Sequence, residues 1–397
     1  MPCLYTFLSE INMKAKSIKG ETPAAFKTAL TDCLTDGFKP ILAIVFMSIR
    51  QDRKAISEIL KHQDIDLFGA TSCGEFINGY QDEGAIVALL LDLNRNDYAL
   101  LFEPFGDRSL PETADEIAQQ AFKTYQDPAL ILCSTGVNSK GDFMDGEKLV
   151  NSLEVALGPN VTYYGGLAGD DMTFSGSYVF THDKETDFGI ATLVLNRDKV
   201  EVQGMAITGW KPMGISRKVT KSAGNLLYEI DGKPAIDMYL KYLGKVENKE
   251  DKTFDVISEL SFNYPFIVKR EDGETILKTP IKIDHQENAL VIDMEMPEGT
   301  EFWFSIPPDF DIVEKIMEEA TQLKSTSQTT ADALLVFSCA GRSPALGPLV
   351  TLENDGLAEI WESPMAGFFT YGELGRGKTR KQYFHSGACC WVALTEK

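Results

Sequence analysis

The chain has 397 residues, 44% of them hydrophobic and 24% charged, with a formal net charge of −21. That composition supports sizeable cores and excludes a disordered chain, and the length suits two or three domains. The acidic balance argues against nucleic acid and anionic lipid as partners and favours a cationic or zwitterionic ligand, while no apolar run approaches the about 20 residues that a bilayer span needs.

The first ten residues, MPCLYTFLSE, lack the basic start, apolar core and cleavage site of a signal peptide. A first helix is expected in ETPAAFKTALTDCLTDGF, with Thr22 as cap, Pro23 at its first position and Gly37 beyond its end. PILAIVFMSI reads as a buried strand, KAISEILKH as a short helix and DIDLFGATS as a second strand. AIVALLLDL and YALLFEPF follow as strands.

A long helix over SLPETADEIAQQAFKTY opens a second pass through the same order. PALILCSTG is a strand, DGEKLVNSLEVALG an amphipathic helix, and NVTYYGGLAGDD a strand ending in a glycine-rich turn. GSYVF and FGIATLVLN read as a hairpin, and VEVQGMAITGW as a half-exposed strand. After a meander rich in Asp-Gly and Glu-Gly turns, the helix FDIVEKIMEEATQL and the strand DALLVFSCAGR begin the order a third time. GATSCGE, GGLAGDD and GFFTYGE each close the second strand of a unit, the middle copy being one residue shorter.

The expected fold is therefore α/β, with α+β as the alternative. Repeated strand–helix–strand–hairpin units form mixed sheets flanked by helices. Repetition places equivalent strand ends near one another, and ligands of α/β sheets gather at carboxyl strand ends. Glycine removes the Cβ and lets backbone N–H groups approach a bound molecule. One shared cavity is the expectation.

LFGATSCGE, YYGGLAGDD, LLYEIDGKPAIDMY with its turn-rich meander, MPEGTEFWF, LLVFSCAGR and GFFTYGELG together resemble the FIST sensory family in both its N-terminal and C-terminal domains. The resemblance runs over about residues 25–395 and divides the chain into an N-terminal segment 1–24, a FIST N-terminal domain 25–222 and a FIST C-terminal domain 223–397. It implies non-enzymatic sensing of a small ligand inside a bacterial cell, with amino acids or their derivatives as the ligand class. Some relatives are proposed to bind haem and sense nitric oxide. Many are fused to kinase, cyclase or chemoreceptor segments; no such region precedes Lys397, so a separate signalling partner is expected.

An amino acid needs a carboxylate or carbonyls for its ammonium and Arg or clustered N–H donors for its carboxylate. Glu75, Asp170 and Glu373 follow glycines at strand ends, and Arg342 follows SCAG. Thr71, Ser72, Asn138 and Ser338 offer neutral hydrogen bonds, and Gly69, Gly166 and Gly372 offer bare backbone. The competing structural role is that each acid caps the turn after its glycine.

Cys73 and Cys339 lie at equivalent strand ends, and a neighbouring Arg342 would lower the Cys339 thiol pKa. That opens a thiol-sensor reading and, behind it, a Cys-dependent hydrolase. The seven cysteines (Cys3, Cys33, Cys73, Cys133, Cys339, Cys389, Cys390) show no CxxC spacing and sit mostly in apolar runs, as reduced thiols of the cytoplasm would. The four His are scattered and suggest no metal site; an axial haem ligand is left open. GELGRGKT lacks P-loop spacing. Trp210, Trp303, Trp361 and Trp391 are read as core or pocket wall.

Overall fold

The computed structural model describes residues 13–397 except 247, 248, 250, 252, 328 and 329; Cys3 and the first half of the 1–24 segment lie outside it. The first unit comprises β1 (Ala15–Gly20), α1 (Pro23–Cys33), β2 (Leu42–Ser48), α2 (Arg53–Lys61), β3 (Asp66–Ser72), the hairpin β4 (Glu75–Ile77) and β5 (Tyr80–Asp82), and β6 (Ile86–Leu91). The second comprises β7 (Tyr98–Pro104), α3 (Leu110–Thr124), β8 (Pro128–Thr135), α4 (Gly146–Leu157), β9 (Thr162–Ala168), β10 (Val179–Phe180) with β11 (Glu185–Thr186), and β12 (Gly189–Asn196).

The third unit opens with β13 (Val200–Ile207) and is then interrupted by an inserted region. The insert holds β14 (Lys211–Ala223), β15 (Leu226–Ile230), β16 (Lys233–Pro234), α5 (Ala235–Tyr242), a π-helical turn over Ile257–Ser261, β17 (Phe266–Lys269), β18 (Thr275–Lys278), β19 (Pro280–Asp284), β20 (Ala289–Ile292) and β21 (Glu301–Ile306). The unit resumes with α6 (Ile312–Ser327), β22 (Ala333–Cys339), α7 (Arg342–Leu346), α8 (Leu349–Trp361), β23 (Met365–Thr370), the hairpin β24 (Glu373–Arg376) and β25 (Gln382–His385), and β26 (Cys389–Glu396). The division expected at 222–223 falls at the end of β14.

Local chemistry explains the helix starts. Thr22 caps α1 by accepting the Ala25 amide, with Pro23 in the first turn. Ser109 and Glu112 form a capping box on α3, and Asp52 and Asp145 cap α2 and α4.

The three units build three sheets of one design. Their strand orders are β1-β6-β2-β3-β10-β11, β7-β12-β8-β9-β24-β25 and β13-β26-β22-β23-β4-β5. Four strands of each sheet come from its own unit, with a parallel pair at the centre; the last two are a hairpin sent in from another unit. Unit one sends its hairpin to unit three, unit three to unit two, and unit two to unit one. The exchange closes a ring, and each incoming hairpin covers the open edge of a parallel pair, which would otherwise expose unpaired N–H and C=O groups.

The glycines make this exchange possible. Gly69, Gly165 and Gly367 occupy equivalent positions on β3, β9 and β23. Opposite them in register lie Phe180, Leu374 and Phe76 of the incoming hairpins. A Cβ on Gly69 would lie 2.3 Å from the Phe180 ring, and one on Gly367 would lie 2.2 Å from the Phe76 ring.

The inner faces of all three sheets share one core, in which Phe46, Ile131, Tyr164, Phe337 and Phe368 are buried. On the outer faces, α1 and α2 cover the first sheet, α3 and α4 the second, and α6 and α8 the third. Strands buried on both sides read as continuous apolar runs, as LAIVFM and LLVF do. The insert has its own core of residues such as Ile236, Tyr239, Phe266 and Phe304. It is held to the second unit by ion pairs from Arg270 and Lys278 to Glu147 of α4.

Candidate functional site

The carboxyl ends of β3, β9 and β23 meet around the ring's pseudo-threefold axis. Three equivalent backbone bonds tie them together: Cys73 N–H donates to Phe369 C=O at 2.9 Å, Gly169 to Thr71 at 2.9 Å, and Tyr371 to Leu167 at 3.0 Å. The turns far apart in sequence do converge. At the axis they make a packed junction, where the Gly169 Cα hydrogen faces the Cys73 sulfur and an added Cβ would lie 2.4 Å from it.

Glu75 and Glu373 serve this junction in the same way. Each carboxylate takes a hydroxyl two residues before its glycine, Ser72 for Glu75 and Thr370 for Glu373. Each also accepts the amide that opens the returning strand, Ala85 at 2.9 Å and Ala388 at 3.0 Å. Both are fully buried, and burial pushes the Glu75 carboxyl up to about 8 and raises Glu373 likewise. They act as buried turn caps. Thr71 closes the same turns, donating to Gly169 C=O at 2.6 Å and accepting the Tyr178 amide at 2.8 Å.

Arg342 is fully buried, and its fork is filled. It pairs with Glu353 of α8 and donates to the carbonyls of Thr208 (2.7 Å) and Gly387 (2.8 Å). A ligand carboxylate would have to displace Glu353 to use it. The expected activation of Cys339 is also overturned. Burial, with the Glu373 carboxyl nearby, pushes this thiol up, and the Arg342 charge, already engaged by Glu353, is too weak an influence to reverse it. Cys73 is pushed up to about 12 by burial.

Asp170 holds a loop. Its carboxylate accepts the amides of Phe174, Ser175 and Gly176 and the hydroxyls of Thr173 and Tyr371. Within that loop Asp171, Met172 and Phe174 have φ of +55°, +60° and +51°, the left-handed region that side chains avoid. Phe174 stacks on Tyr371 with centroids 5.2 Å apart and meets Phe143 at 5.5 Å. Asn138 closes its own turn by accepting the Lys140 and Asp142 amides. Ser338 is buried, with no hydrogen-bond partner for its hydroxyl among the described residues. Gly166 faces the Thr370 methyl and Gly372 the Phe384 ring, so both serve packing.

Beside the axis is a cavity of about 120 Å³, between the strand ends of units two and three and the insert. Ring residues Met172, Phe174, Cys339 and Tyr371 form one side. Trp210 and Phe262, Ser261 of the π-helical turn and Asp293 after β20 form another. Phe384 and Ser386 of the third hairpin complete it. Of the thirteen candidate residues, Cys339 alone lines this space. The insert's contribution went unassigned in the sequence reading, apart from Trp210 as pocket wall. Its one available signal was Asp293 directly after the apolar run ALVI.

Asp293 Oδ1 accepts the Thr279 amide at 2.7 Å, and burial pushes the carboxyl up to about 7. Among the described residues it is the only Asp, Glu, Lys or Arg in the cavity lining. Among the described residues no group of three or more His, Cys, Asp or Glu is placed to hold a metal, and no helix is long and apolar enough to cross a membrane.

The comparisons agree with this architecture. The FIST N domain model matches residues 41–233 and the FIST C domain model residues 235–376. An uncharacterized protein of Methanocaldococcus jannaschii is 23% identical over 246 residues, covering 58% of this chain and 44% of the relative. The chain thus spans less than half of that curated relative. With both domain models matched in order, the chain belongs to the FIST family, a family of sensory domains implicated in signal transduction.

Proposed function

We propose that this chain senses a small ligand bound in the cavity between the ring and the insert, and that a partner protein reads the bound state. Amino acids or their derivatives are the ligand class, in an intracellular setting. The observation that carries the reading is the construction of the cavity. One wall is a loop held in left-handed conformations by Asp170, and such strain persists where surrounding structure enforces it, often at ligand clamps. The facing wall includes a π-helical turn, a feature frequent at functional sites. The ring and the insert each have a core, bridged by Met294 and Tyr383, and an occupant touches both walls.

Signalling then follows from differential affinity. A ligand that binds one arrangement of ring and insert more tightly shifts the population toward it; one that binds both equally shifts nothing. The test is a thermal-shift screen of amino acids, their decarboxylated derivatives, nucleotides and haem. A binder raises the melting temperature by mass action. The response is expected to vanish in Ala340→Leu, which fills the cavity from the ring side. A flat screen, or a response unchanged in that variant, contradicts the reading.

A further inference from the structure

We infer that the cavity selects a compact organic cation, a protonated amine on an apolar body, over an amino acid or an organic acid. The inference rests on the cavity being the ligand site. Among the described residues its lining contains no Lys, Arg or His, so a ligand carboxylate meets no counter-charge there. The cations one shell out are committed. Arg342 pairs with Glu353. Lys278, whose charge reaches Asp293 from the strand that precedes Thr279, is 3% exposed and bound to Glu147 and the Glu295 carbonyl. Asp293 is the lone charge, held in place by the Thr279 amide at 2.7 Å.

The remaining walls suit a cation with an apolar body. Phe143, Phe174, Phe262, Tyr371 and Phe384 supply aromatic surface, which attracts a positive charge over a ring face and excludes water from around a carboxylate–ammonium pair; the Trp210 ring already carries the Arg342 guanidinium, 5.7 Å from its centroid. Burial holds the Asp293 carboxyl high, outweighing the Thr279 amide, the nearby Lys278 charge and the Ser386 and Thr279 hydroxyls, all of which favour its ionised form. A ligand ammonium would add the direct ion pair that none of these makes. A space of about 120 Å³ is comparable to a dry cavity that admits benzene, so the expected occupant is one ring or a short chain.

The test uses four compounds that share a phenylalkyl body and differ in charge, on the full chain: 2-phenylethylamine, 2-phenylethanol, phenylacetate and phenylalanine, the first three being close in size. Calorimetric titration is expected to show the amine binding at least about tenfold tighter than each of the other three. In Asp293→Asn the amine's preference over the alcohol is expected to fall to within about threefold. The quartet on the unmutated protein decides the ligand class even where the variant fails to fold. Tighter binding of phenylalanine or the alcohol overturns the cation assignment while leaving the cavity as a ligand site. Binding of the acid alone overturns it too. Binding of none of the four, while a compound of the wider screen responds through Ala340, overturns the assignment and keeps the site.

Discussion

At the residue scale, the recurrent glycine and glutamate are explained by the ring. Gly69 lies under Phe180, so Gly69→Ala forces a Cβ into the ring, and overpacking of this kind costs about 1–3 kcal/mol. Urea denaturation of the single and double variants checks this. Phe180→Leu should absorb part of the cost of Gly69→Ala, and strictly additive losses would argue against the contact. Glu75 bears on pH. Its folded pKa, about 8, lies above the unfolded value near 4.3, so the native state holds an extra proton between the two and stability falls as pH rises through that window. Glu75→Gln mimics the protonated carboxyl. Between pH 6.5 and 8.5 it should lose less unfolding free energy than the unmutated protein, and equal losses would count against burial as the cause. Arg342→Met leaves Glu353 buried without its partner, which costs about 3–5 kcal/mol. Removing both charges, as Arg342→Met with Glu353→Leu, should recover much of that loss in chemical denaturation.

At the element scale, local signals were legible and long-range ones were not. A cap and a proline position marked α1, and the recurring strand order of three units was visible in the apolar runs. α8 escaped notice because Gly356 sits in its middle. That glycine admits the Met317 sulfur of α6, which would lie 2.4 Å from an added Cβ, a tertiary contact that local propensity does not reveal. β1 escaped as well, being a short, half-exposed strand of mixed pattern. In the site, glycine turns announced convergence, and they do converge. The polar residues between them are consumed by the turns themselves. Which acid caps and which faces a ligand depends on burial and partners that sequence spacing does not carry. Asp293, from the insert, had only its place directly after the apolar run ALVI to mark it.

At the scale of the whole molecule, exchanged hairpins make the ring a single cooperative object. A chain cut after residue 199 would lack β24 and β25, baring the edge of β9, and would leave β4 and β5 without β23. It is expected to show no cooperative melt and weak near-ultraviolet circular dichroism; a sharp transition would refute the closed exchange as a folding requirement. The insert has its own core and meets the ring along a seam that includes Met294 and the Glu147 ion pairs, and this seam is where occupancy can change arrangement. Hydrogen exchange on the full chain, with and without the compound that raises the melting temperature most, tests this directly. The account predicts slower exchange on both walls at once, in the loop 170–176 and in the insert around 257–293. Protection confined to one wall, or appearing instead in the groove around Arg376 and Arg380, would contradict it.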